Sequence, residues 1–263
     1  MPEDDPPLPA PEMLDIGEAA IAVRRQAGAA PGLFWLGGYR SDMRGTKAEA
    51  LAGWAKEQGL AFTRFDYSGH GESGGSYAEG TISRWLNEAE TVFERRAEGP
   101  QVLVGSSMGA WIALRLLQTL GGERSRVKGL LLIAPAPDFT NDLIEPGLTD
   151  EERRDLEAKG RVERPTPYGP EPDIFTRELI EDGRRNRVLT GPLDTFCPVH
   201  ILQGTADKDV PASHALKLAA HLPKDELTLT LVPGGDHRLS RPEDISLLLR
   251  TAESLVELAK AES

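Results

Sequence analysis

The pentapeptide Gly105-Ser106-Ser107-Met108-Gly109 stands between an apolar run, QVLV, and a run with helical pattern, AWIALRLLQTL. Strand, abrupt turn and helix, with glycine two residues before and two after a serine, form a nucleophile elbow. The turn is so tight that the flanking positions must be almost without side chains, and the strained central residue projects its hydroxyl from the end of the strand. Ser107 is that residue and Ser106 is not. The plainer alternative is a strand-to-helix turn in which Ser106 or Ser107 caps the helix.

A serine hydroxyl is a poor nucleophile until a base takes its proton, and the base needs an acid to hold its tautomer. On this type of sheet the chain order is serine, acid, histidine. QGTADKDVP offers Asp207 and GGDHRLS offers His237, each just after a predicted strand, so the order is met. Asp209 is the alternative acid, and Asp236 reads as a turn former. Of the other histidines, His200 falls inside a strand and reads as a hydrogen-bonded core residue, while His214 and His221 fall on a helix and read as surface. His70, in SGHGES, lies in a loop at the same sheet edge but precedes the serine. Attack on an acyl carbon also creates an oxyanion, which needs two aimed N–H donors. Met108 N–H, at the start of the elbow helix, is one candidate. Tyr39 N–H is the other, because GGYR puts two small residues ahead of it; a plain β-turn is the alternative there.

These groups must be carried by a sheet. Apolar runs at 32–36, 61–67, 101–105, 129–134 and 199–204 read as strands, and LTLTLV at 227–232 alternates like a strand nearer an edge. EAAIAVRRQAG is a candidate preceding antiparallel strand or hairpin. Helical spacing fills 44–58, 81–97, 107–121, 211–221 and 242–260, and in the last Ile245, Leu248, Leu249, Ala252, Leu255, Val256 and Ala259 share one face. Alternating strands and helices predict an α/β fold with a mainly parallel twisted sheet flanked by helices. Residues 138–195 are too long for an ordinary connection and predict a cap or lid, with helical pieces near 149–159 and 173–189. The expected division is therefore a tail at 1–12, a core of 13–137 and 196–263, and the cap.

Composition narrows the chemistry. The chain has 263 residues, 39% hydrophobic and 27% charged, as expected of a globular enzyme. A formal charge of -12 opposes binding to nucleic acid, which requires clustered cations. One cysteine, Cys197, excludes an intramolecular disulfide and fits a reducing compartment. The start, MPEDDPPLPAPE, resembles neither a secretory signal nor an import peptide, and no apolar run approaches the ~20 residues of a membrane helix. The expectation is a cytoplasmic protein.

With these residues assembled, the chain resembles the α/β-hydrolase superfamily along nearly its whole length. GGYRSDMRGTKA, TRFDYSGHGESGG and PQVLVGSSMGAW resemble a branch of mitochondrial and bacterial acyl-glucuronide esterases and acyl-protein thioesterases. The resemblance returns at GTADKDVP and GGDHR and is weakest through 138–195. It implies ester or thioester hydrolysis by Ser107, Asp207 and His237 through an acyl-enzyme, without metal or organic cofactor. A dehalogenase of this fold would carry aspartate at position 107; a peptidase or carbon-carbon bond hydrolase shares the triad, and a binding module would normally have lost a member of it. Phe139, Leu143, Ile144, Tyr168, Ile174, Phe175, Leu179 and Ile180 are candidate acyl-pocket walls, or else pack the cap itself. GRRNR at 183–187 could meet an acidic leaving group, although charge runs usually face water. Substrate, acyl length and oligomeric state are not encoded in these motifs.

Overall fold

The computed structural model describes residues 9–167, 169–223 and 226–261. An antiparallel hairpin opens the chain, β1 (Glu12–Asp15) and β2 (Ala20–Gln26). There follow β3 (Ala29–Leu36), α1 (Thr46–Glu57), β4 (Leu60–Phe65), α2 (Ile82–Arg96), β5 (Gln101–Ser106), α3 (Met108–Thr119) and β6 (Val127–Ile133). The chain then runs through α4 (Asp150–Lys159), β7 (Arg161–Arg164), β8 (Asp173–Thr176) and α5 (Arg177–Arg185). It returns through β9 (Val199–Gly204), α6 (Ala212–Ala220), β10 (Leu227–Val232) and α7 (Pro242–Ala261).

Eight strands form one sheet in the order β1-β2-β4-β3-β5-β6-β9-β10. β2 runs antiparallel to β4, and β4, β3, β5, β6, β9 and β10 are parallel to one another. Successive residues of a strand point to opposite faces, and both faces are covered here. Val102 and Val104 join Leu33, Trp35 and Leu131 beneath α1 and α7, whereas Leu103 joins Phe34, Leu36 and Leu132 beneath α2 and α3. Burial on two sides is why these strands read as unbroken apolar runs. β10 lies at the edge and only Val232 of it is buried, which accounts for its alternation.

The order 4-3-5 is what locates a site. From β3 the chain winds through α1 to β4 on one side, then through α2 across to β5 on the other. The carboxyl ends of β3 and β5 therefore lie side by side at a topological switch point, with Leu36 paired to Gly105.

Two details differ from the sequence expectations. The ordered sheet begins at Glu12, one residue before the expected boundary, and the Glu12 carboxylate pairs with Arg96; residues 1–8 of the expected tail lie outside the described residues. The piece expected to be helical from 173 begins as a strand, and β8 pairs antiparallel with β7, so the 134–198 excursion is not wholly helical. α4 does form as expected, helped by a capping box in which Thr149 and Glu152 satisfy each other's backbone N–H groups.

Candidate active site

Ser107 occupies φ 54°, ψ -116°, a conformation that L side chains seldom adopt and that costs about 1–3 kcal/mol. The fold holds it there from both directions: Ser107 N–H donates to Ile133 O at 2.9 Å, and Ser107 O accepts from Ala110 N–H and Ala136 N–H at 3.0 and 3.2 Å. The glycines permit the approach. A Cβ on Gly105 would stand 2.6 Å from Gly109 O, and one on Gly109 would stand 2.0 Å from Leu36 O. Ser107 is the N-cap residue of α3, yet its side chain makes no capping bond. Its hydroxyl meets a histidine instead.

His237 Nε2 lies 3.0 Å from Ser107 Oγ, and His237 Nδ1 lies 2.8 Å from Asp207 Oδ2. With a carboxylate at Nδ1, that nitrogen carries the proton and Nε2 is left to accept from the serine hydroxyl. Residues separated by 130 and 30 positions are thus brought into one hydrogen-bonded line. The Asp207 carboxylate is buried, and Oδ1 accepts Asp209 N–H at 3.0 Å and Val210 N–H at 2.8 Å. Oδ2 also accepts Gln203 Nε2–H at 3.1 Å. Burial alone would raise its pKa, but the hydrogen bond and charge of His237, with the Val210 and Gln203 donors, more than offset this and hold it below the ordinary carboxylate range.

Asp209 contributes its backbone to Asp207, and its own side chain is exposed. Asp236 Oδ1 accepts Leu239 N–H at 3.0 Å, a turn-forming role. Among the described residues Asp207, Asp209 and His237 could offer one ligand atom each within 4.8 Å of one another. Two of those groups are already bonded to each other.

The turn after β3 closes with Ser41 N–H donating to Gly38 O at 3.1 Å. A Cβ on Gly38 would come within 3.4 Å of Ser107 Cβ, so this turn lies directly against Ser107. Met108, as the first residue of α3, has an N–H without an intrahelical acceptor. Among the described residues neither its N–H nor that of Tyr39 donates to a protein group. A groove of about 550 Å³ runs beside the turn, lined by Arg40, His70, Tyr77, Glu163, Glu171 and Ile174 among others.

His70 makes its ring contacts elsewhere. It is buried with Nδ1 3.0 Å from Ser68 O, and Nε2 accepts Arg40 N–H at 3.1 Å. Burial, opposed by the Ser68 bond and assisted by the Arg40 charge, brings its pKa down to about 4. His214 departs from the surface position expected of it: it is 5% exposed, with Nε2 2.7 Å from Pro137 O, because its side of α6 packs against the chain leaving β6. His221 ends α6 with Nδ1 2.8 Å from Lys217 O, and His200 is half-buried on β9.

Most candidate pocket walls do pack inward. Phe139, Phe175 and Leu179 belong to the main core, Ile180 is buried, and Leu143 and Ile144 pack partly against that core; Tyr168 lies outside the described residues. The 183–187 arginines are paired, Arg184 with Glu145, Arg185 with Asp182, and Arg187 with Asp138 and Asp142. Sequence reasoning missed Gln203, although a polar residue inside an apolar strand was a usable signal. It also missed the link from Tyr39 and Arg40 to β8, for which GGYR carries no signal.

Residues 28–246 match the Alpha/beta hydrolase family, and the chain belongs to that family. It is 34% identical over 238 residues to mouse palmitoyl-protein thioesterase ABHD10, mitochondrial, covering 90% of this chain and 79% of that protein. A crystal structure from Agrobacterium vitis S4 superposes with a TM-score of 0.89 at 53% identity, covering 93% of this chain and 96% of that one. Mouse alpha/beta hydrolase domain-containing protein 10 superposes at 0.85 with 33% identity, covering 95% and 99%. Among the described residues no helix is long and apolar enough to cross a membrane.

Proposed function

We propose that the chain, a carboxylic ester and thioester hydrolase, works by two-step acyl transfer from Ser107. The observation that carries this is the unbroken line from Ser107 Oγ through both nitrogens of His237 to a buried, doubly anchored Asp207. As Oγ attacks the acyl carbon, His237 Nε2 takes its proton, and the Asp207 carboxylate stabilises the resulting imidazolium. The oxyanion is received by the N–H groups of Met108 and Tyr39, one from α3 and one from the turn beside Ser107. Collapse of the tetrahedral intermediate expels the alkoxide or thiolate, which takes the proton from His237. Water then repeats the cycle at the acyl-enzyme, with His237 as base, and releases the acid.

The 138–195 segment serves as the cap over this site, supported by the contacts it makes with the turn after β3. Similarity to thioesterases named for palmitoyl-protein substrates favours acyl esters and thioesters over peptides. A cytoplasmic, bacterial setting belongs to the same proposal, supported by the single cysteine and the Agrobacterium vitis relative.

The test is hydrolysis of p-nitrophenyl esters from acetate to palmitate by the wild type and Ser107→Ala. Loss of at least about 10³-fold in kcat is expected in the variant, with loss of fluorophosphonate labelling. Retained turnover in Ser107→Ala would rule out this nucleophile.

A further inference from the structure

The turn that bears the Tyr39 N–H makes two sets of bonds that ester hydrolysis does not itself require. Arg40 sits at φ 55°, a left-handed conformation in which a non-glycine residue is strained. Its backbone N–H is taken by His70 Nε2 at 3.1 Å, and the histidine is kept in the accepting state by its Nδ1 contact with Ser68 O. The Arg40 guanidinium then reaches across to the segment between β7 and β8. It donates to Glu171 O at 2.9 Å, to Pro172 O, and to Glu171 Oε2 at 3.2 Å, with Asp173 Oδ1 at 3.8 Å. Tyr39 reaches the next residues: its hydroxyl donates to Ile174 O and its ring stacks on Phe175, centroids 5.5 Å apart and planes 8° apart. Two consecutive turn residues therefore hold five consecutive residues of the 138–195 segment, 171 to 175, while Gly38 keeps the same turn against Ser107.

We propose that Arg40 is a positioning residue that aims the Tyr39 N–H at the developing oxyanion by locking the Gly38–Ser41 turn between His70 and the β7–β8 hairpin. This rests on the acyl-transfer reading above. The physical reason is conformational. A strained turn stays in place only while its surroundings over-determine it, and without the guanidinium fork Arg40 can relax to negative φ and rotate the peptides ahead of it. Placement of the hairpin and competence of the oxyanion hole are then one property, so the cap's contribution to rate passes through the turn as well as through the walls of a pocket.

The test compares Arg40→Gln and Tyr39→Phe with the wild type on one p-nitrophenyl ester. The inhibition constant of an alkyl trifluoromethyl ketone, whose serine adduct places an oxyanion in the hole, is measured in parallel. In both variants kcat is expected to fall about tenfold or more, the inhibition constant to rise by a similar factor, and KM to stay within about twofold. A merely structural role would lower the thermal midpoint and the active fraction, but would leave the inhibition constant of the active molecules unchanged. Tyr39→Phe decides the matter should Arg40→Gln fail to fold. If Ser107→Ala is inactive while kcat and the inhibition constant of Tyr39→Phe and of any folded Arg40→Gln stay within about twofold of wild type, the positioning role is overturned and the acyl-transfer reading stands. If Ser107→Ala retains full turnover, both are overturned.

Discussion

Replacing Asp207 with asparagine keeps the shape of the side chain and removes only its charge and two-sided acceptor character. Asp207 Oδ1 receives two backbone donors, from Asp209 and Val210, at 3.0 and 2.8 Å. In Asp207→Asn these N–H groups require the amide oxygen, because turning the NH₂ toward them would leave one buried and one part-buried donor unsatisfied at about 1–3 kcal/mol each. An NH₂ at the Oδ2 position faces Gln203 Nε2, but that donor keeps Gly204 O and Val210 O as acceptors, so the amide is oriented by roughly 2–6 kcal/mol at most with its NH₂ toward His237. Nδ1 must then accept, the proton moves to Nε2, and that nitrogen can no longer take the proton of Ser107. Converted at about 1.4 kcal/mol per decade, the orientation energy removes the active tautomer by roughly 30-fold to 10⁴-fold. Loss of imidazolium stabilisation adds to this, so a fall in kcat of about 10³- to 10⁴-fold is expected. The assay is kcat and KM on a p-nitrophenyl ester at pH 7.5, with a denaturation curve to show a folded variant. Asp209→Asn, which retains the backbone donor, should stay within about threefold of wild type. A loss of less than tenfold in folded Asp207→Asn would refute the tautomer argument, and a larger loss in Asp209→Asn would make Asp209 the acid.

Gly109→Ala places a Cβ 2.0 Å from Leu36 O, a backbone atom that cannot swing aside. The variant should lose about 3 kcal/mol or more in urea denaturation, or fail to accumulate as soluble protein, and a cost below about 1 kcal/mol would contradict the close approach of α3 to β3. His70 supplies a pH-dependent term. Its pKa is about 4 in the fold against 6.5 unfolded, so the neutral side chain's stabilisation is complete above pH 6.5 and is lost as pH falls toward 4. Between pH 7.5 and 4.5 the wild type should lose on the order of 2–3 kcal/mol more than His70→Gln, read from urea curves, and parallel losses would show that His70 titrates normally.

The elbow was legible because its physics is local. A turn this tight admits only glycine at positions 105 and 109, and the apolar run before it and the helical run after it identify the turn from either side. Asp207 and His237 were legible for a related reason: each follows a recognisable strand, and parallel strands deliver their following residues to one edge. His214 was misplaced because LKLAAH-type helical spacing says which residues share a face but not what covers them. The chain leaving β6 covers that face, and its Pro137 carbonyl supplies the partner. The expected helix from 173 opened as a strand because DIFT is stabilised by pairing with Arg161–Arg164, a contact between residues that no local pattern relates.

The order of strands and helices outside residues 138–195, the strained serine and the chain order of its two partners were determined by the sequence itself, since each depends on steric and periodic rules acting within a few residues. The tertiary structure alone decided that His70 accepts the Arg40 N–H, that Gln203 helps fix Asp207, and that Arg40 and Tyr39 grip residues 171 to 175. Those partners lie between 4 and 135 positions apart, and the longer links exist only where the folded chain sets loops from separate strands against one another.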